Sequence, residues 1–374
     1  MADRLRGTGD RPAGSPRILQ LISRNQRRGA ESAAVMLAEA LTCRGYSTRL
    51  VALAQADEAV LPGVPVLGRH TLGPRTLLRL RAEVRAADVV IGHGSRTLPA
   101  MVAAAAGLRR RLVYQNIGDP LFWAGDPWRR RRVRFLLART SAVAALTEQT
   151  AAVLHDYLGV PTDRLHTIRN MRDGRRFRPP TDAERDEARA AFGLAPDDRA
   201  VAVVGALSPE KRVDLALDAG ARVPGALVLV AGDGPERAAL ERHAQRSAGR
   251  VRFLGSLGDV VTLLHASDVV LMTSESEGVP GVLVEAGLCG VPAVSTDVGY
   301  VADVVADGDT GLLVGSDDAA EIGAAVVSVL ADGDRMGAAA RRRCVERFEL
   351  STVLEEWTRL LGPPVSGRPA PPST

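Results

Sequence analysis

The sequence predicts an α/β protein made of two Rossmann-like domains, each a doubly wound parallel sheet. Short apolar runs, typical of buried strands, alternate along the chain with longer patterns typical of helices. The same alternation occurs on both sides of a proline-containing segment at residues 179–181. The 374 residues allow two domains of ordinary size, and a hydrophobic content of 46% is enough to form a core in each.

The strands are predicted from apolar runs that end at turn residues. After the first strand, a helix is predicted from Ala30 to Arg44, and Gly45 ends it. In the first half the predicted strands are Arg17–Ile22, Ser47–Leu53, Val89–Gly92, Arg111–Gln115, Ala142–Leu146 and Leu165–Ile168. In the second half they are Ala200–Val204, Ala226–Val230, Val251–Leu254, Val269–Met272, Ala293–Ser295 and Gly311–Val314.

Shifts in composition predict the domain limits. The chain is polar up to residue 16 and rich in Pro, Gly and Ser after residue 361, so both ends are predicted to be disordered. We predict a disordered N-terminus at 1–16, a first domain at 17–178, a linker at 179–196, a second domain at 197–345, a final helix at 346–361 and a disordered tail at 362–374.

Cysteine usage and hydropathy indicate a cytoplasmic protein. Cys43, Cys289 and Cys344 are too few and too scattered for a disulfide framework or a zinc site, which favours a reducing compartment. The N-terminal segment has no apolar core of the kind a signal peptide needs, and no apolar run approaches the length of a membrane span.

Charge is divided unevenly between the halves. Residues 1–180 hold 30 arginines against 14 carboxylates, whereas the remainder holds 18 basic residues against 30 carboxylates. The arginine runs at 109–111 and 129–134 suit a solvated helix face, an acidic acceptor or an anionic membrane surface, so a peripheral position at the inner face of the membrane stays open. Nucleic acid is not expected as a partner, because the acidic half would repel it and no aromatic stacking pattern accompanies the arginines.

Lys211 is the only lysine in the chain, whose other 47 basic residues are all arginine. It follows a predicted buried strand that ends at Gly205, where a parallel sheet presents a loop at its edge. Lysine is a compact point charge that suits phosphate, whereas arginine is a planar fork. The alternative is codon bias with a single surviving lysine.

A second polar loop supports the phosphate interpretation. Glu277 lies in this loop, and Glu285 lies on the apolar helix that follows it. Free backbone N–H groups near Gly281 and Val282, together with the helix dipole, would form an anion site. Carboxylates beside such a site suit a ligand that also carries hydroxyl pairs, so a diphosphate joined to a ribose and a sugar fits every part.

An ordered set of motifs over nearly the whole chain resembles the retaining GT-B glycosyltransferases of family 4. Each motif is weak alone, but their order is specific. The matching segments are Arg17–Ile22 with Gly29–Glu31, Ile168–Asn170 with Asp173 and Phe177–Pro179, Gly205–Asp214, Leu229–Pro235, Val251–Gly255, Asp268, Glu277–Glu285, Gly290–Val294, and Gly308 with Thr310–Leu312.

The resemblance implies a GT-B fold in which the two domains face each other across a cleft, with the final helix crossing back to the first domain. It implies that Lys211 neutralises the donor diphosphate, Glu277 holds the transferred sugar and Glu285 holds the ribose. Gly29 would let backbone approach the phosphates, with a plain helix N-cap as the alternative. The full donor-binding set is predicted to be Gly29, Gly205, Lys211, Arg212, Leu254, Glu277, Gly278, Pro280, Gly281, Val282 and Glu285.

The sequence departs from the family pattern at two positions. Ala206 stands where the family usually has an arginine, so one phosphate cation is missing unless Arg212 or an arginine of the first domain replaces it. Asn116 stands where the family often has a histidine, and Asn116 and Asp119 are predicted on the acceptor side. His93 matches another family histidine and is a catalytic candidate with Lys211 and Glu277, or else a hydrogen-bonded loop histidine.

These observations predict a retaining hexosyltransferase that moves a sugar from a UDP- or GDP-sugar to an acceptor hydroxyl. No metal and no cofactor are expected, because the family uses the Asp307–Gly308–Asp309 segment as a turn. The acceptor is unknown and is expected to be acidic or membrane-associated. The alternatives are a nucleotide-sugar-binding partner subunit that has lost activity and, less favoured, a GT-B sugar-nucleotide epimerase.

Overall fold

The computed structural model describes residues 16–26, 29–56, 60–247 and 249–364. The chain forms two compact units. The first contains the chain up to Met171 together with the segment from Leu350 onward, and the second runs from Arg172 to Glu349. The predicted disorder at 1–16 and at 362–374 falls almost entirely outside the described residues.

The first unit is built on a seven-stranded parallel sheet with the strand order β3-β2-β1-β4-β5-β6-β7. Its strands are β1 (Arg17–Arg24), β2 (Ser47–Ala54), β3 (Val66–Gly68), β4 (Val89–His93), β5 (Arg111–Gln115), β6 (Ala142–Ala145) and β7 (Leu165–Thr167). Its helices are α1 (Gly29–Cys43), α2 (Pro74–Ala86), α3 (Leu98–Ala105), α4 (Pro120–Trp123), α5 (Pro127–Leu137), α6 (Glu148–Asp156) and α14 (Leu350–Leu361).

Side-chain alternation along the strands separates two cores in the first unit. Leu19 and Leu21 of β1 face the cluster formed by α2, α3, α5 and α6. Ile18, one residue before Leu19, faces the opposite cluster, which contains α1 and α14. Helices therefore cover both faces of the sheet, as in a doubly wound fold.

The second unit is built on a six-stranded parallel sheet with the strand order β10-β9-β8-β11-β12-β13. Its strands are β8 (Arg199–Val204), β9 (Ala226–Ala231), β10 (Arg250–Gly255), β11 (Val269–Met272), β12 (Ala293–Thr296) and β13 (Gly311–Val314). Its helices are α7 (Asp182–Ala191), α8 (Val213–Gly220), α9 (Arg237–Arg246), α10 (Val261–Ala266), α11 (Gly281–Leu288), α12 (Ala319–Ala331) and α13 (Gly333–Phe348).

Both sheets reverse their strand order at one point, between β1 and β4 in the first unit and between β8 and β11 in the second. In open α/β sheets, ligands bind beyond the carboxyl ends of the strands at such a switch point. The two α/β sheets confirm the predicted fold class. Among the described residues, no helix is both long and apolar enough to cross a bilayer.

The boundaries of the units differ from the predicted ones. The chain enters the second unit at Arg172 rather than after residue 178, because the Arg172 N–H donates to the carbonyl of Phe348 over 2.8 Å. The predicted linker contains α7, which begins with a capping box between Thr181 and Glu184. Strand β3 was not predicted, because its three residues are too few to show a period.

Candidate functional site

The candidate site lies at the switch point of the second sheet, where the loops after β8 and β11 leave neighbouring strands. Hydrogen bonds hold the two loops together. The Glu275 N–H donates to the carbonyl of Glu210 over 2.8 Å, and the Thr273 hydroxyl donates to the carbonyl of Arg212 over 2.8 Å. The two polar loops singled out from the sequence are therefore neighbours in the fold.

Lys211 and Glu277 meet between these loops. The Lys211 Nζ lies 2.7 Å from Oε1 of Glu277, and the buried Ser274 hydroxyl donates to the same oxygen over 2.7 Å. Only 27% of the lysine side chain and 12% of the glutamate side chain are exposed. The site thus places a cation and an oriented carboxylate side by side, in position for a ligand that carries both phosphate and hydroxyl groups.

Three glycines allow the loops to approach other backbone segments. A Cβ on Gly232 would overlap the carbonyl of Gly205, and a Cβ on Gly234 would overlap the carbonyl of Leu207. Gly299 has a φ of 55°, and a Cβ there would overlap the carbonyl of Glu277. Sequence reasoning missed Gly299, because its contact with the Glu277 loop arises only through the fold.

Helix α11 begins at Gly281, so its first backbone N–H groups, which are of the kind that can bind an anion, lie beside the Glu277 loop. Arg172 lies over this helix end: a Cβ on Gly281 would overlap the Arg172 guanidinium. The Arg172 Nε donates to Oε1 of Glu285, one helical turn further on, over 2.7 Å. Sequence reasoning also missed this role of Arg172, since one arginine among 47 carries no distinguishing signal.

Arg212 was considered from the sequence as a phosphate-binding cation, and in the structure it pairs with a carboxylate. Its guanidinium lies 2.6 Å from a carboxylate oxygen of Asp317, which raises the arginine pKa by hydrogen bonding and by charge. Arg212 has a φ of 46° and is the only non-glycine residue with a positive φ in the described part of the chain. Ala206, where the family places an arginine, is exposed.

The remaining predicted donor-binding residues lie in both units. Gly205, Gly278, Pro280 and Val282 belong to the two loops and the first turn of α11, and Leu254 is on the edge strand β10. Gly29 is the first residue of α1 in the first unit.

His93 is the last residue of β4 and is buried. Its Nδ1 lies 2.5 Å from Oε1 of Gln115, and its Nε2 lies 2.9 Å from Oε1 of Gln20. Burial lowers the pKa of His93 to about 4, against the opposing effect of the Gln115 hydrogen bond. Both ring nitrogens therefore face glutamine side chains within the protein, and the neutral ring donates a hydrogen bond from only one of them.

Asn116 and Asp119 act locally in the loop after β5. The Asn116 amide donates to the carbonyl of Gly118 over 2.7 Å, and the Asn116 side chain is buried. Asp119 is the N-cap of α4 and accepts a hydrogen bond from the Leu121 N–H over 2.9 Å. These contacts order the loop that sequence analysis assigned to the acceptor side.

Comparisons with known proteins agree with this architecture. Residues 27–176 match the model of Glycosyltransferase Family 4, and residues 184–347 match that of Glycosyl transferases group 1. The chain belongs to the family 4 glycosyltransferases.

The relatives of this family 4 glycosyltransferase include a D-inositol 3-phosphate glycosyltransferase of Mycobacterium marinum, 37% identical over 51% of this chain and 44% of the relative. An N-acetyl-alpha-D-glucosaminyl L-malate synthase of Bacillus anthracis is 28% identical over 62% of each chain. The chain thus spans 44% and 62% of the length of these two relatives.

Solved structures share the fold of this chain over most of its length. HepE of Anabaena, determined in complex with UDP, has a TM-score of 0.82 at 23% identity and covers 92% of this chain and 99% of its own. HepE has also been determined in complex with UDP-glucose, with a TM-score of 0.80.

Proposed function

We propose that the protein is a retaining, metal-independent hexosyltransferase that moves a sugar from a UDP- or GDP-sugar to an acceptor hydroxyl. The observation that carries the proposal is the Lys211–Glu277 pair at the switch point, beside the N-terminus of α11. Cation, carboxylate and helix end together match the diphosphate and hydroxyl groups of a nucleotide sugar.

Each group has a role in this proposal. Lys211 and the first N–H groups of α11 bind the diphosphate, where negative charge grows as the glycosidic bond breaks. Glu277, held by Ser274, accepts hydrogen bonds from hydroxyls of the transferred sugar. Glu285 accepts them from the ribose hydroxyls once its bond with Arg172 is exchanged.

The reaction needs no enzyme nucleophile. The bond between the anomeric carbon and the diphosphate oxygen breaks, and the acceptor oxygen forms its bond to the same face of that carbon. The acceptor proton passes to the departing diphosphate oxygen, so charge and atoms balance without an enzyme base. His93, whose two nitrogens face glutamines of neighbouring strands, links β1, β4 and β5 and takes no proton in this scheme.

Arg172 supplies the second phosphate cation that Ala206 cannot. Both Arg212 and Arg172 pair with carboxylates, but it is the Arg172 guanidinium that lies against Gly281 at the N-terminal end of α11. A cation at the positive end of a helix dipole is unfavourable unless an anion is near. Glu285 provides that anion in the free protein, and the donor diphosphate provides it in the complex.

Arg172→Met tests this assignment by calorimetry. We expect a loss of affinity for UDP of about tenfold to a hundredfold, the scale of one charge-assisted hydrogen bond. Affinity for uridine, which has no phosphate, should change little. Arg246→Met on α9 is the matched control, because this exposed arginine has no carboxylate partner among the described residues. Equal losses for UDP and uridine would assign Arg172 to the fold of the site rather than to phosphate.

The donor and acceptor classes rest on chemistry and on the relatives. HepE binds UDP and UDP-glucose, so UDP-sugars are the first donors to test. The names of the two relatives contain inositol phosphate and malate, both anions. An anionic acceptor also suits the excess of arginine in residues 1–180. The free cysteines Cys43, Cys289 and Cys344 support a reducing, cytoplasmic setting for the reaction.

A screen of UDP- and GDP-sugars for transfer and for slow donor hydrolysis tests the proposed function. We expect one donor to be consumed and the product to keep the anomeric configuration of that donor, as read by NMR. Tight donor binding without transfer or hydrolysis would favour the lapsed partner subunit. In that case Ala206→Arg combined with Asn116→His should create activity. Release of an epimerised sugar would favour the epimerase.

A further inference from the structure

Helix α5 of the first unit carries its basic and aromatic residues on the face opposite its core contacts. Val133 and Leu137 are buried against the sheet. At 100° per residue, the opposite side of the helix carries Trp128, Arg131, Arg132 and Phe135. Trp128 is 79% exposed and Phe135 is 56% exposed, which is unusual for large aromatic side chains.

Within the described residues, no carboxylate neutralises the arginines of this face. Between residues 119 and 139 there are six arginines and two aspartates. Both aspartates cap helices: Asp119 accepts from a backbone N–H of α4, and Asp126 accepts from two at the start of α5. In the described part of the chain, no carboxylate forms a salt bridge with Arg131 or Arg132.

Helix α2 repeats the arrangement on the same side of the sheet. Its inner residues Leu80 and Val84 join the same hydrophobic cluster as Val133 and Leu137 of α5. Its outer side carries Leu78, which is 72% exposed, together with arginines at 75 and 85. Because both helices pack on one sheet face, both outer stripes point away from the sheet.

We infer that the outer faces of α2 and α5 bind a bilayer that contains anionic phospholipids. Interleaved arginine and aromatic side chains suit the headgroup region, where guanidinium groups meet phosphates and Trp or Phe rings enter the interface. The exposed leucine and aromatic rings would have no use in binding a soluble polyanion. The inference stands on the surface of the first unit and does not depend on glycosyl transfer.

Co-sedimentation with vesicles tests the inference. The protein should bind vesicles of phosphatidylglycerol and phosphatidylcholine and bind pure phosphatidylcholine far more weakly. Each interfacial arginine contributes about fivefold in affinity, so the double variant Arg131→Gln, Arg132→Gln should bind the anionic vesicles about 25-fold more weakly. The control Arg242→Gln, Arg246→Gln removes the same charge from exposed positions on α9 of the second unit and should stay within about twofold.

The fluorescence of Trp128 provides a second measurement, which electrostatic attraction alone would not change. Of the three tryptophans, Trp357 is buried and Trp123 is partly buried, so quenching by iodide should report chiefly on Trp128. Anionic vesicles should shift this emission to the blue and protect it from iodide, and Trp128→Phe should lose the protected component. Absence of vesicle binding, an equal loss in the α9 control, or tight binding of heparin with no Trp128 shift on vesicles would each overturn the inference.

Discussion

Arg172 donates from Nε to Oε1 of Glu285 over 2.7 Å, and the two side chains are only 12% and 19% exposed. Each charge is thus satisfied by the other before any ligand is present. Separating a mostly buried ion pair is costly, so in our proposal a ligand that takes Glu285 also offers Arg172 a phosphate anion. In our proposal a nucleoside diphosphate does both, because its ribose hydroxyls and its phosphates are joined in one molecule.

Lys211→Met should lower transfer by roughly two to three orders of magnitude, the usual scale for removing one preorganised contact to a developing negative charge. Steady-state kinetics with the donor found in the screen would measure the effect. Because Lys211 is the only lysine, an amine-directed reagent would otherwise modify only the chain's N-terminus, and added UDP should protect Lys211. Unchanged turnover in the variant would remove Lys211 from the phosphate role.

Glu277→Gln and Glu285→Gln should separate the two ends of the donor. Glu285→Gln should weaken binding of the bare nucleoside diphosphate, because Glu285 faces the ribose in our proposal. Glu277→Gln should leave that binding nearly intact and reduce use of the nucleotide sugar. Calorimetry with UDP and kinetics with the UDP-sugar distinguish them, and an equal loss of UDP affinity in both variants contradicts the placement.

Gly299→Ala should damage both stability and activity. Alanine at a φ of 55° costs about 1–2 kcal/mol. Overlap with the Glu277 carbonyl should add about 1–3 kcal/mol. Displacing the Glu277 loop should also reduce kcat/KM roughly 100-fold.

Gly308→Ala is the matched control for Gly299→Ala. Gly308 has a φ of 75°, but a Cβ there meets nothing within 4 Å. The Gly308→Ala variant should therefore lose only the free energy of unfolding that the strained backbone costs, measured by urea unfolding, and should keep its activity. Similar losses of activity in both variants would show that the contact with Glu277 does not matter.

Stability should fall below neutral pH because His93 stays neutral in the fold. Its pKa is lowered to about 4 from the ordinary 6.5, so between these values the unfolded chain binds a proton that the native protein does not. The contribution of neutral His93 to the free energy of unfolding is complete above pH 6.5 and is lost as the pH falls to 4. It amounts to about 3 kcal/mol. His93→Gln should flatten this part of the pH profile of unfolding. Burial also lowers the pKa of the partly buried His166, so His166→Gln is the control and should keep most of the slope.

Much of the fold was predictable because its strands are apolar runs that end at turns. Strands β5, β11 and β13 have the predicted bounds, and the others differ by a few residues at their ends. Strand β3 was missed because it is short and lies at the edge of the sheet. Helix α7 was missed as part of a charged linker, although its capping box can be read at Thr181 and Glu184.

The candidate site could be singled out from the sequence where a residue type or a loop motif marked it. Lys211 stood out by its rarity and Glu285 by its place on an apolar helix. Arg172 and Gly299 act through neighbours that lie 113 and 22 positions away along the chain, and no local pattern encodes such contacts. The contacts of the two His93 nitrogens likewise depend on two glutamines from other strands.

The backbone bridge between Arg172 and Glu349 joins the first and last residues of the second unit. The chain passes between the units at 171–172 and at 349–350. Met171 and Leu350, the residues of the first unit at these two connections, belong to one hydrophobic cluster. The second unit is therefore an insertion into the first unit. The two ends of the insertion are neighbours, and so are the two residues of the first unit between which it is inserted. A single graft at this place could exchange the second unit for that of a relative, and residues 172–349 are the segment that such an exchange would carry.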